Sequence, residues 1–145
     1  MKRQGGMVAL ELALVLPVLL VLLSAVLYYG RLTYAYEVTQ KAASAGARYL
    51  SSVAAVNMKN PVQAGQESNL AQTIVQTELA ALSALGVSTA VEVDCDAISC
   101  AMLGGIPNEV SVTIVVWVPN IFFGYLQELA DQRLVIRRSM RYVGN

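Results

Sequence analysis

Residues 4–31 read QGGMVALELALVLPVLLVLLSAVLYYGR, and this stretch decides what kind of protein the chain can be. Between Met7 and Gly30 there is one charged side chain, Glu11, and one proline, Pro17. As an α-helix the run would be about 36 Å long at ~1.5 Å per residue. That is enough to cross a hydrocarbon core of about 30 Å with some tilt. Lys2 and Arg3 precede the run and Arg31 follows it. The pattern predicts a single membrane-spanning helix, with the basic N-terminus held in the cytoplasm and the remaining domain exported. The run is too long for the apolar core of a cleaved secretory signal, and Leu27-Tyr-Tyr-Gly-Arg31 is a poor cleavage site.

Glu11 is what a plain anchor leaves unexplained. A carboxylate in a spanning helix costs on the order of 2.5–3.5 kcal/mol on insertion scales. Gly5 and Gly6, which disfavour a helix interior, lie just before it. A cut between Gly6 and Met7 would place a new α-amino group four residues from Glu11, one helical turn away on the same face. Such an amine, with a pKa of about 7.7–8.0, is mostly cationic at neutral pH, and a helix N-terminus disfavours cations. Glu11 would offset that charge within the chain or on a neighbour in an array of parallel helices.

This arrangement, Gly6, then Met7-Val-Ala-Leu-Glu11, then Leu-Ala-Leu-Val-Leu-Pro17 and a leucine-rich run, resembles the class III signal of type IV prepilins. It is most similar to the TadE-like branch of the tight-adherence (Tad/Flp) pilus system. The resemblance implies a leader of residues 1–6 removed by a prepilin peptidase, a transmembrane helix over 7–30, and an exported pilin-like domain over 31–145. It also implies a bacterial inner-membrane location with the domain periplasmic, and a role as a minor pilin or pseudopilin. The partners it implies are other pilin subunits and the inner-membrane assembly platform. Two alternatives stand beside it: an uncleaved, membrane-anchored periplasmic scaffold or binding domain, and a type II secretion pseudopilin. Pro17 removes the hydrogen bond to the Ala13 carbonyl and is expected to kink or loosen the helix, which membrane helices tolerate.

Outward from the membrane run, helical signals continue. Leu32, Ala35, Val38, Ala42, Ala45, Tyr49 and Val53 recur at three- and four-residue steps, and only Gly46 weakens the pattern. One helix from near Met7 to near Val56 is expected. Tyr28, Tyr29, Tyr34 and Tyr36 at the exit fit an interfacial aromatic belt. Residues 57–69 read as a linker rich in Asn, Gly and Pro. A second helix is expected over 70–85 with Leu70, Ile74, Leu79 (or Glu78), Leu82 and Leu85 as its stripe and Gly86 as its stop. The period then changes to two around residues 90–94, 110–118 and 133–142. The expected fold is therefore α+β: a long N-terminal helix, a second helix, and a small three-stranded antiparallel sheet covered on one side. The ending Arg137-Arg-Ser-Met-Arg-Tyr142 also resembles the last strand of TadE-like proteins.

Chemistry is sparse. The chain has 145 residues, a formal charge of zero and no histidine. A neutral chain lacks the basic surplus that nucleic acid requires, and the commonest general base and metal ligand is missing. No triad, P-loop or cofactor motif is seen, so neither an enzyme nor a cofactor is expected. Cys95 and Cys100 are too far apart for a CxxC motif. In an exported domain a disulfide is the natural pairing, with a reactive or metal-binding pair as the alternative. Asp94 and Asp96, near Glu92 and Glu109, lack an EF-hand spacing and read as a solvated acidic edge rather than a calcium site. Arg133, Arg137, Arg138 and Arg141 crowd the last strand and suggest cross-strand pairs with Glu92 and Asp94, or else a docking patch for a subunit or for anionic lipid. Trp117, Phe122, Phe123, Tyr125 and Leu126 form the most apolar stretch outside the membrane run. Ile121–Leu126 is expected to close the core as a flap, with an exposed contact surface as the alternative.

Overall fold

The computed structural model describes residues 5–119 and 131–144, with side chains from Val8 onward. The elements are helix α1 (Gly5–Ser51), α2 (Ala55–Lys59), α3 (Pro61–Ser83), strand β1 (Ser88–Cys95), β2 (Ile98–Ser99), α4 (Cys100–Leu103), β3 (Glu109–Val118) and β4 (Gln132–Arg141). The fold is α+β, as expected. The chain divides into two units, Met1–Tyr34 and Ala35–Asn145.

In the first unit, α1 stays helical through Pro17. The side chains from Val8 to Leu23 are all exposed. A leucine-rich surface of this kind would not persist in water, and in lipid it costs nothing. The Tyr28 and Tyr29 rings meet edge to face with centroids 5.9 Å apart.

The second unit is built on residues 35–51 of α1. The buried face there is Ala35, Thr39, Ala42, Ala43, Gly46, Ala47 and Leu50. It is rotated from the expected stripe, because Val38, Ala45 and Tyr49 are only half-buried. Small side chains let the α1 backbone lie close to its neighbours. A Cβ added at Gly46 would come 2.5 Å from Val75 Cγ2 of α3 and 3.4 Å from Val112 Cγ2 of β3. The glycine that weakens the helix locally is therefore the point where three elements converge.

Helix α1 ends at Ser51 rather than near Val56, and the expected linker is largely helical. Pro61 occupies the first turn of α3, where its missing N–H is not needed, and the Asn60 side chain accepts from the Val62 N–H at 3.0 Å. A proline and asparagine that read as a linker thus start a helix nine residues earlier than expected. Its buried stripe is Ala64, Ala71, Val75, Leu79 and Leu82, and Leu70 and Leu85 face solvent. Gly86 adopts φ +70°, and the Val87 N–H reaches back to the Leu82 carbonyl at 3.3 Å. This left-handed stop is the one anticipated.

The sheet has four strands rather than three, in the order β2-β1-β3-β4, all antiparallel. The added strand, β2, pairs only Asp94 with Ser99 and Cys95 with Ile98. It is too short to show any alternation in sequence. Asp96 and Ala97, both at positive φ, form the two-residue turn before it. On β3, Val110, Val112, Ile114, Val116 and Val118 are buried, as the alternation predicts. The C-terminus closes the unit. The Tyr142 hydroxyl donates to the Val53 carbonyl at 2.5 Å, and the Val143 N–H donates to the Ser51 carbonyl at 3.0 Å.

Gly46→Ala should destabilise the full chain in detergent by about 1–3 kcal/mol through overpacking. Adding Val75→Ala should recover part of that loss, as read by urea denaturation. Equal stability of Gly46→Ala and the parent would contradict the close approach.

Candidate functional site

Glu11 sits in α1 one turn after Met7, with its side chain exposed among Val8, Leu12 and Val15. The Gly6–Met7 bond lies in the first turn of the same helix. The helix therefore presents one acid on an otherwise apolar surface, one turn from the bond singled out in the sequence. No second charged side chain of α1 lies between Val8 and Gly30. Pro17 borders a shallow apolar groove with Val18, Val21 and Leu22. By length and composition this is the one helix among the described residues able to cross a membrane, and its most apolar window is not buried in the protein.

Cys95 and Cys100 form a disulfide with an S–S distance of 2.05 Å. It closes a short loop, and on the chain-entropy account such a link stabilises by about 2 kcal/mol. It ties β1 to the first residue of α4, and both cysteines are buried. Asp96, half-exposed beside the exposed Glu109, has a further structural role. Its carboxylate accepts from the N–H groups of Asn108 (3.0 Å) and Glu109 (2.9 Å), while its own N–H donates to the Glu109 carbonyl at 2.9 Å. The acid therefore closes the turn with backbone donors. Among the described residues, no group of three or more metal-ligating side chains is assembled.

The arginines do not pair across strands as expected. Strand β3 lies between β1 and β4, so Glu92 and Arg137 flank Thr113, two strand spacings or about 10 Å apart. Arg137 donates instead to the Ser111 hydroxyl at 3.2 Å. Arg138 points to the opposite face of the sheet and donates to the Gln40 side-chain carbonyl on α1. Trp117 lies on the exposed face of β3. Residues Ile121–Leu126 lie outside the described residues.

A polar network that no sequence pattern announces joins the helices. The Tyr49 hydroxyl donates to Glu67 Oε2, and Asn57 Nδ2 donates to Glu67 Oε1 at 2.8 Å. One carboxylate thus links α1, α2 and α3. The residues lie 18 and 10 positions apart in the chain, and no local pattern marks them. Partial burial, then the hydrogen bond to Glu67 and its negative charge, push the Tyr49 phenol up to about 12. Burial also raises Tyr142.

Both raised phenols favour the neutral form in the folded state. Their contribution to stability is complete below pH about 10 and is lost as pH rises through the folded values. Stability should therefore fall between pH 10 and about 12. Tyr49→Phe should lower stability near neutral pH by about 1 kcal/mol and make the alkaline decline shallower, leaving the part due to Tyr142. Equilibrium unfolding followed by circular dichroism across that range checks this, and an unchanged slope would remove the Tyr49 contribution.

Neither a curated protein nor a solved structure matches the chain. A family model described as TadE-like protein matches residues 6–48, almost the whole of α1. The match and the apolar N-terminal helix together fit a Tad pilus-associated protein. Over its N-terminal segment, residues 6–48, the chain is similar to TadE-like proteins.

Proposed function

We propose that the chain is a minor pilin or pseudopilin that takes part in assembly of a Tad/Flp-type pilus. In this reading a prepilin peptidase cuts after Gly6 and residues 7–30 hold the protein in the bacterial inner membrane. The domain from residue 31 lies in the periplasm. The protein acts by packing, not by catalysis, and its partners are other pilin subunits and the inner-membrane assembly platform.

The observation that carries this reading is the solitary exposed Glu11, one turn from Met7 on a helix whose most apolar stretch is not buried in the protein. A membrane anchor alone gains nothing from such an acid. In a bundle of like helices it offsets the terminal amine, and the neutral pair can leave lipid. Association in lipid has no hydrophobic drive, so side-chain fit and polar pairing must supply it. The TadE-like match over the same residues agrees with this use of the helix.

Glu11→Ala should leave insertion and cleavage intact but lower fibre yield about tenfold, the effect of ~1.4 kcal/mol per subunit contact. Unchanged piliation would end the pairing role. Gly6→Val, expressed beside a prepilin peptidase, should leave a full-length membrane-retained chain by mass spectrometry. A mature N-terminus at Met7 in that variant would end the leader assignment.

A further inference from the structure

The outer face of the sheet carries an ordered arrangement of charged and apolar side chains. Register fixes its layout. Across β1, β3 and β4 the outward rows are Ser88–Trp117–Arg133, Ala90–Val115–Val135, Glu92–Thr113–Arg137 and Asp94–Ser111–Ser139, with Glu109–Arg141 beyond. The β1 column is thus acidic and the β4 column basic, and a wholly apolar row runs between their ends. Val135 is 56% exposed and Trp117 39% exposed. Among the described residues no ion pair joins the two columns, because β3 holds them apart.

We propose that this face docks against the same face of a second copy of the chain, about a two-fold axis parallel to the strands and running along β3. That operation lays β1 of one copy over β4 of the other without changing row height. Glu92 then faces Arg137 of the second copy, and the reciprocal contact forms by symmetry. The apolar row meets itself, with Val115 on the axis and Ala90 opposite Val135. A face whose left and right halves carry opposite charge is complementary to its own two-fold mate, with Glu109 at the end of β3 the one acid set near its own copy, whereas a uniformly basic face would repel throughout. This self-complementarity selects a second copy over an anionic lipid surface, which would leave Glu92 and Asp94 against like charge.

The face is small. Three strands at ~4.8 Å and four rows at about 6.6 Å give roughly 300–400 Å² per copy. The total falls below the ~1,200 Å² of a stable soluble complex. The contact is therefore weak between free molecules and is populated when membrane insertion confines the copies and raises their effective concentration. The proposal does not depend on pilus assembly, and its failure would leave that reading standing.

The test uses the full chain in lipid vesicles. Val115→Cys, placed on the axis, should give a covalent dimer with a short homobifunctional thiol cross-linker, since stacked sheets leave the two Cα atoms about 10 Å apart, beyond the reach of a disulfide; the Cys95–Cys100 link is verified by peptide mass. Val62→Cys, exposed on α3 away from this face, measures random collision and should give little dimer. In the Val115→Cys background, Glu92→Arg and Arg137→Glu should each lower dimer yield by about tenfold. A mixture of the two reversed chains should restore it, because both reciprocal contacts in the mixed dimer then join opposite charges. Thermal melts of each reversed chain confirm that the fold is intact. Dimer yield no greater than that of Val62→Cys would overturn the proposal. So would single reversals without effect, or a mixture that fails to restore the link.

Discussion

The second unit depends on one close approach, at Gly46. There the backbone of α1 lies against Val75 of α3 and Val112 of β3 with no room for a methyl group. A helix can sit this deeply between another helix and a sheet only if its buried face is made of small residues. Ala35, Thr39, Ala42, Ala43 and Ala47 provide that face. The larger buried side chains, Leu50 and Met58, come at and beyond the end of α1, where the elements diverge. Helix α1 thus supplies little apolar volume to this core. The volume comes from the β3 valines and isoleucine and from Val75, Leu79 and Leu82 of α3.

This division of labour follows from what the two parts of α1 must do. The first part, Leu- and Val-rich and exposed, is suited to lipid and to like helices. The second, Ala-rich and buried, is suited to close contact with protein. One continuous helix changes its side-chain size where its surroundings change. Carboxylates and backbone donors fix the ends of the second part and the turns around it. Glu67 joins three helices, Asp96 holds the turn after β1 to the start of β3, and Val143 and Tyr142 bind Ser51 at the end of α1 and Val53 just after it. The disulfide adds a covalent tie next to the Asp96 clasp. Polar closure of this kind suits a small unit, since the surface it can bury is limited.

With α1 and α3 on one side of the sheet, the other side exposes Glu92, Trp117, Val135 and Arg137 among the described residues, while Ser111 is covered. What faces outward is then set by register. Odd positions of β4 from Arg133 to Arg141 project outward, while Arg138 turns in toward Gln40. The same alternation that builds the core sorts the charges into an acidic and a basic column.

The long apolar helix, the acid near its start, the alternating strands and the Gly86 stop were all legible in the order of residues. Each is a local property: unbroken apolar length, a two-residue period, or a residue free to adopt positive φ. Local pattern failed where size or distance mattered more than polarity. The expected stripes held Ala35, Ala42, Val53, Leu79 and Leu82 but missed the small buried residues beside them, Ala43, Gly46 and Ala47 of α1 and Ala64 and Ala71 of α3, because hydropathy ranks large apolar side chains above small ones. It also read Asn60-Pro61 as a break when the pair caps a helix. Packing in three dimensions was needed to make Gly46 a contact point and to bring Tyr49, Asn57 and Glu67 together. It also set β3 between the acids of β1 and the arginines of β4. These outcomes depend on which chain segments become neighbours, and strand order and helix depth are settled by the packing of the whole unit.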